Sequence, residues 1–190
     1  GTTDASSSDF WLINEEYLYY KGSSEKEFKD IEFNGEKIFS REFTEEENRY
    51  LNSLGERRLT KRPDVLLFPE EGKCIIIEFK APDVNVSEHL TQIDFYANLL
   101  LNYSNPKYGI KQFYGYLIGE SIEDRDVRGR VSRFEISEHF NCWFRPSEKV
   151  QGFDGTPNGS IYTEIIKFSS ILSRAQARND MFIKKLEMQS

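Results

Sequence analysis

The chain has 190 residues, with 32 acidic and 25 basic side chains and a formal net charge of −7. That length fits one domain with a sizeable core, and Leu, Ile, Val and Phe supply 51 residues, which excludes wholesale disorder. The longest apolar runs, such as Cys74 to Ile77, hold four or five residues, against the roughly 20 that a membrane-spanning helix needs.

Sixteen Ile, fifteen Phe and ten Tyr against five Ala favour sheet over a helical bundle. Residues 1–9 read as a disordered tail, and residues 10–190 as a single domain with its core over about 44–120. The start lacks Met, and the chain is expected to be a piece of a longer protein. Phe10 to Tyr20 is dense in aromatics and fits either strand or helix. Ile31 to Phe39 reads as a hairpin, because Asn34-Gly35 accepts the positive φ angles of a type I′ turn. Thr44 and Glu47 form a capping box for a short helix that Gly55 ends. Two strands follow, Pro63–Phe68 and Lys73–Lys80, joined tightly through Pro69-Glu70-Glu71-Gly72.

Asn85 or Ser87 caps a helix to about Tyr103, with Leu90, Ile93, Ala97 and Leu100 on one face. Residues 111–119 form a third central strand, followed by a charged loop. Val131–Ile136, Asn141–Phe144 and Ser160–Phe168 are further strands, and Ser169 or Ser170 caps a final amphipathic helix to Met188. Strands and helices in this order predict an α/β or α+β fold, a central mixed sheet flanked by helices.

Charge is unevenly spread: residues 1–60 carry −6, residues 61–122 carry −2 and residues 123–190 carry +1. Net charge therefore excludes no polyanionic partner. Cys74 and Cys142 stand 68 positions apart, with only His89 and His139 to help, so a zinc site is not expected. Two ordinary thiols fit a reducing cytoplasm.

The chemistry concentrates in Pro63-Asp64 and Glu78-Phe79-Lys80. Alternation puts Ile76, Glu78 and Lys80 on one strand face and Ile75, Ile77 and Phe79 on the other. Folding the strands back pairs position 64 with roughly position 79, so Asp64 is expected beside Glu78 and Lys80. Three ionisable groups converging on apolar strands need a partner, and two carboxylates suit a hard divalent cation. Gln92 and Tyr96, spaced i, i+4, share one face of the next helix and can look toward that point. Arg57, Arg58, Lys61 and Arg62 read either as a phosphate grip or as a solvated linker, and Tyr96 as a further nucleic-acid contact. Arg125, Arg128, Arg130 and Arg133 read as a solvated loop.

These residues resemble the PD-(D/E)XK nuclease superfamily: Pro63-Asp64, thirteen intervening residues, Glu78-Phe79-Lys80, then Gln92-x-x-x-Tyr96. The resemblance implies a restriction-endonuclease-like αβββαβ core that hydrolyses DNA phosphodiesters with Mg²⁺, for which Mn²⁺ can substitute. It implies that Asp64, Glu78 and the Phe79 backbone carbonyl bind the metal, and that Lys80 serves the nucleophilic water with Gln92 assisting. A further Glu is expected, with Glu15 ahead of Glu46 and Glu47 because the capping box already explains Glu47. Trp11 to Glu15 and Arg178-Asn179-x-x-Phe182 extend a looser likeness to nuclease-type C-terminal domains of bacterial GHKL-ATPase proteins and to Shedu anti-phage nucleases. Those relatives show Asp-Glu where this chain has Asn14-Glu15. The partners so implied are DNA, with RNA not excluded, an upstream domain such as an ATPase, and a second copy in a homodimer. The alternative is a catalytically inactive module of the same fold that binds nucleic acid or supports assembly.

Overall fold

The computed structural model describes residues 32–33, 36–39, 44–45, 49, 64–67, 72–125, 127, 133–138 and 140–188. The first strands, β1 (Glu32–Phe33) and β2 (Glu36–Lys37), pair antiparallel with Phe33 opposite Glu36; Asn34 and Gly35, read as the turn, lie outside the described residues. They form a two-stranded sheet of their own. Glu45 and Arg49 are helical and form an i, i+4 ion pair at 3.7 Å; Glu47 and Gly55 lie outside the described residues.

The main sheet holds β3 (Val65–Leu67), β4 (Lys73–Phe79), β5 (Gln112–Gly119), β6 (Glu135–Ser137), β7 (Cys142–Val150) and β8 (Gly159–Lys167). Its strand order is β3-β4-β5-β8-β7-β6. The central strands β4, β5 and β8 run parallel, while β3 at one side and β7 and β6 at the other run antiparallel to their neighbours. Parallel strands need a crossover, and α1 (Leu90–Tyr103) supplies it between β4 and β5. Asn85 caps the 3₁₀ turn Val86–His89 that leads into α1, its side chain accepting from Ser87 N at 3.1 Å.

Helix α1 covers one sheet face with Ile93, Tyr96, Ala97 and Leu100, packed in one core with Ile76, Phe113, Leu117, Ile161 and Ile165. It approaches closely because β5 carries Gly115, where a Cβ would stand 2.3 Å from Ile93 Cγ2. On the opposite face Ile75, Ile77 and Ile118 meet Phe168 and Ile171 of α2 (Phe168–Glu187). The result is a mixed sheet with a helix on each face, the α/β layering expected. No helix among the described residues is long and apolar enough to cross a membrane. Cys74 and Cys142 are free and buried.

Several boundaries differ from the expectation. Among the described residues of the segment read as Val131–Ile136, the strand is Glu135–Ser137; Val131 and Ser132 lie outside them. Asn141–Phe144 begins at Cys142 and runs on to Val150, past Pro146, because the ladder to β8 shifts register between Arg145 and Glu148. Such a shift spares proline the ladder bond it has no N–H to make. Ser169 and Ser170 lie inside the first turn of α2 and do not cap it from in front. Glu120 instead accepts from Ser169 N at 3.1 Å and from Ser169 Oγ at 2.9 Å. Those bonds hold the Glu120 carboxyl below its ordinary range. Of the expected αβββαβ order, β3, β4, α1 and β5 follow in sequence, whereas β1 and β2 pair only with each other among the described residues.

Candidate active site

The β3–β4 register sets Val65 opposite Ile77, and one further step sets Asp64 opposite Glu78 rather than the expected position 79. Asp64 is exposed, and its Oδ2 accepts the Phe79 N–H at 2.6 Å. That bond ties the carboxylate to the last residue of β4 and brings it to the strand end that carries Glu78 and Lys80.

Glu78 points to the α1 side, on the same face as Cys74 and Ile76, and is 5% exposed. Its Oε1 accepts from Lys80 Nζ at 2.6 Å and from Gln92 Nε2 at 2.7 Å. Gln92 Oε1 in turn accepts from Lys80 Nζ at 3.0 Å, and Gln92 Nε2 also donates to Tyr96 OH at 2.9 Å. The i, i+4 spacing of Gln92 and Tyr96 thus does aim the amide at the strand end. Glu78 Oε2 is buried and has no hydrogen-bond partner among the described residues.

Burial pushes the Glu78 carboxyl above its ordinary range; the bond to Lys80 and its charge pull it back, Asp64 adds to the rise and Gln92 opposes it. Tyr96 is 1% exposed, and burial pushes its phenol upward, so it stays protonated. Tyr96, expected as a nucleic-acid contact, is placed in the core, where its hydroxyl accepts from Gln92. Aromatic side chains at i+4 on a buried helix face fill the core first.

A bland strand-end ion pair does not describe this arrangement well. Surface pairs leave both partners hydrated, yet here the Lys80 and Glu78 side chains keep 12% and 6% exposure. A buried carboxylate oxygen without a donor costs free energy unless a cation or ligand meets it. The oxygen donors of Asp64 and Glu78 are the type a hard divalent cation takes, and Mg²⁺ needs only one or two carboxylates, the rest being water and phosphate. No group of three or more His, Cys, Asp or Glu suited to a metal occurs among the described residues. The carboxylate pair is therefore what this edge offers such an ion.

Two residues at this edge escaped the sequence reading. At Gly119, the last residue of β5, a Cβ would fall 2.4 Å from Val86 Cγ2 and 3.3 Å from Lys80 Cβ. Only glycine lets the 3₁₀ turn and Lys80 close over the end of β5; a Gly ending a strand was the available signal. Lys167 ends β8 in register with Gly119, its Nζ 5.9 Å from the Trp143 ring centroid. Glu15, Glu46, Glu47, Arg57, Arg58, Lys61 and Arg62 lie outside the described residues, as do Arg128, Arg130 and His139. Comparisons of the chain with protein-family models, with curated proteins and with solved structures found no match.

Proposed function

We propose that this domain is a metal-dependent nuclease that hydrolyses DNA phosphodiester bonds, with Asp64, Glu78, Lys80 and Gln92 as its working groups. The single observation that carries the reading is the buried Glu78 Oε2, without a donor among the described residues, at a strand end where Asp64, Lys80 and Gln92 converge. The order of β3, β4, α1 and β5 supports a restriction-endonuclease-like core, since the Asp and the Glu-x-Lys sit on an antiparallel pair followed by a crossover helix and a parallel strand.

In this reading Asp64, Glu78 and the Phe79 carbonyl would hold Mg²⁺ or Mn²⁺, which when bound supplies Lewis-acid stabilisation of phosphate charge and a more acidic water. Lys80 holds its ammonium on the same spot, a compact positive charge suited to a water or to the charge that grows on a phosphate oxygen. Gln92, anchored on Tyr96 OH, orients Lys80 and Glu78 through one hydrogen bond to each. Burial raises the Glu78 carboxyl, so a bound cation would stabilise its charged form.

The test is incubation with supercoiled plasmid and Mg²⁺ or Mn²⁺, with and without chelator, with Lys80→Ala as control. Nicking that needs the metal and vanishes in Lys80→Ala is the expected result. Cleavage that persists in chelator or in Lys80→Ala would sink the assignment. No cleavage, together with no binding of either cation, would favour the non-catalytic module.

A further inference from the structure

We propose that the exposed ring of Phe79, stacked on Phe168, is a seat for an unpaired nucleobase of the strand that lies across the candidate active site. The inference rests on the reading of this edge as a nucleic-acid site and adds the substrate class, a strand with a base free to leave its stack.

Residues 74–78 of β4 are buried, and then Phe79 is 40% exposed, an abrupt change for a large apolar side chain. Its ring lies nearly parallel to that of Phe168, at 9° and 6.1 Å between centroids. The backbone beneath it is pinned on both sides: Phe79 N–H donates to Asp64 Oδ2 at 2.6 Å, and Lys80 N–H to Ile118 O at 2.7 Å. The exposed ring therefore costs little conformational entropy to present.

Alternation along β4 puts Glu78 on the α1 side and Phe79 on the α2 side of the same strand end. One edge thus offers phosphate chemistry on one face and an aromatic surface on the other. A nucleic-acid strand crossing the edge has the matching polarity, phosphates and bases on opposite sides of its sugar. Of the apolar cluster on this face, Ile75, Ile77 and Ile118 are buried, Phe168 and Ile171 partly so, and Phe79 is open. The two rings carry no hydrogen-bonding group, so the seat reads stacking and not sequence. In an intact duplex both faces of each base are covered, and reaching the ring would require unstacking.

The experiment measures affinity, in chelator, of the full chain for an oligothymidylate and for an abasic strand of equal length. Base–aromatic stacking predicts that the oligothymidylate binds about 5- to 150-fold more tightly than the abasic strand. The preference should survive in Phe79→Trp and disappear in Phe79→Leu. Equal affinity for the two single strands overturns the proposal, as does a preference that survives Phe79→Leu. Magnesium-dependent nicking is scored separately. Nicking without a base preference removes the stacking seat alone, and a base preference without nicking removes the hydrolytic reading alone.

Discussion

Replacing Lys80 by Met removes one charge from the centre of the site while keeping a side chain of similar length. In the wild type the ammonium stands 2.6 Å from Glu78 Oε1 and 3.0 Å from Gln92 Oε1. Two unit charges at that separation attract by about 6 kcal/mol at an effective dielectric near 20, before desolvation is counted. Breaking one side of a buried pair costs about 3–5 kcal/mol net, because the remaining charge is stranded. For a chain of this length that lowers the melting temperature by about 6–20 °C. The cost depends on pH through Glu78, whose carboxyl burial raises. A raised folded value means the native state binds its proton more readily than the unfolded chain. The penalty is therefore absent below the unfolded value of about 4.3 and grows as pH rises through the folded value. Lys80→Met raises that folded value further, so the variant should match the wild type most closely at acid pH and fall behind as pH rises. A divalent cation replaces the lost charge, and at about a hundredfold excess over its dissociation constant it restores about 2.7 kcal/mol. Melting curves of both proteins across this pH range, with chelator and with Mg²⁺, measure every part. A deficit that is the same at all pH values, or a Mg²⁺ shift no larger in Lys80→Met than in wild type, would refute the reasoning.

Asp64→Asn keeps an oxygen for the Phe79 N–H, now bonded at 2.6 Å, so the fold should persist while metal-dependent nicking drops about 100-fold or more; near-normal nicking would exclude Asp64 from the site. Gly119→Ala puts a methyl 2.4 Å from Val86 Cγ2 and 3.3 Å from Lys80 Cβ, and overpacking of that kind costs about 1–3 kcal/mol. Denaturant melts should show that loss together with weaker nicking, although no charge has changed. Arg145 is 3% exposed and is paired by both terminal nitrogens with Asp94 of α1, with Thr163 Oγ1 at 2.9 Å from one of them and Glu148 at 3.5 Å from the other. Asp94→Ala should cost about 1–3 kcal/mol, because Arg145 is buried while the Asp94 side chain is 38% exposed and Glu148 remains; a change under about 0.5 kcal/mol would show that the pair does not clamp α1 to the sheet.

Local rules made much of the scaffold legible in the sequence. The two-residue period of Lys73 to Lys80 put Glu78 and Phe79 on opposite faces, and Asn85 with the spacing of Leu90, Ile93, Ala97 and Leu100 marked the entry and buried face of α1. The i, i+4 relation of Gln92 and Tyr96 was equally visible. Strand ends after residue 130 were not, since a shift in the β7–β8 ladder depends on a partner strand and leaves no periodic signal. The cap on α2 was missed for a similar reason, because Glu120 reaches it from 49 positions away.

By itself the sequence determined which chemical groups share a strand or a helix face, because those relations follow from backbone geometry within a few residues. It could place two carboxylates and a lysine near one strand end. Only the tertiary structure decided how wet each group is. Packing of α1 on β5 through Gly115 buried Glu78 and Tyr96, while its place at the end of β4 left Phe79 open. Burial depends on what arrives from distant parts of the chain, and it is burial that separates the Glu78–Lys80 pair from a hydrated surface ion pair.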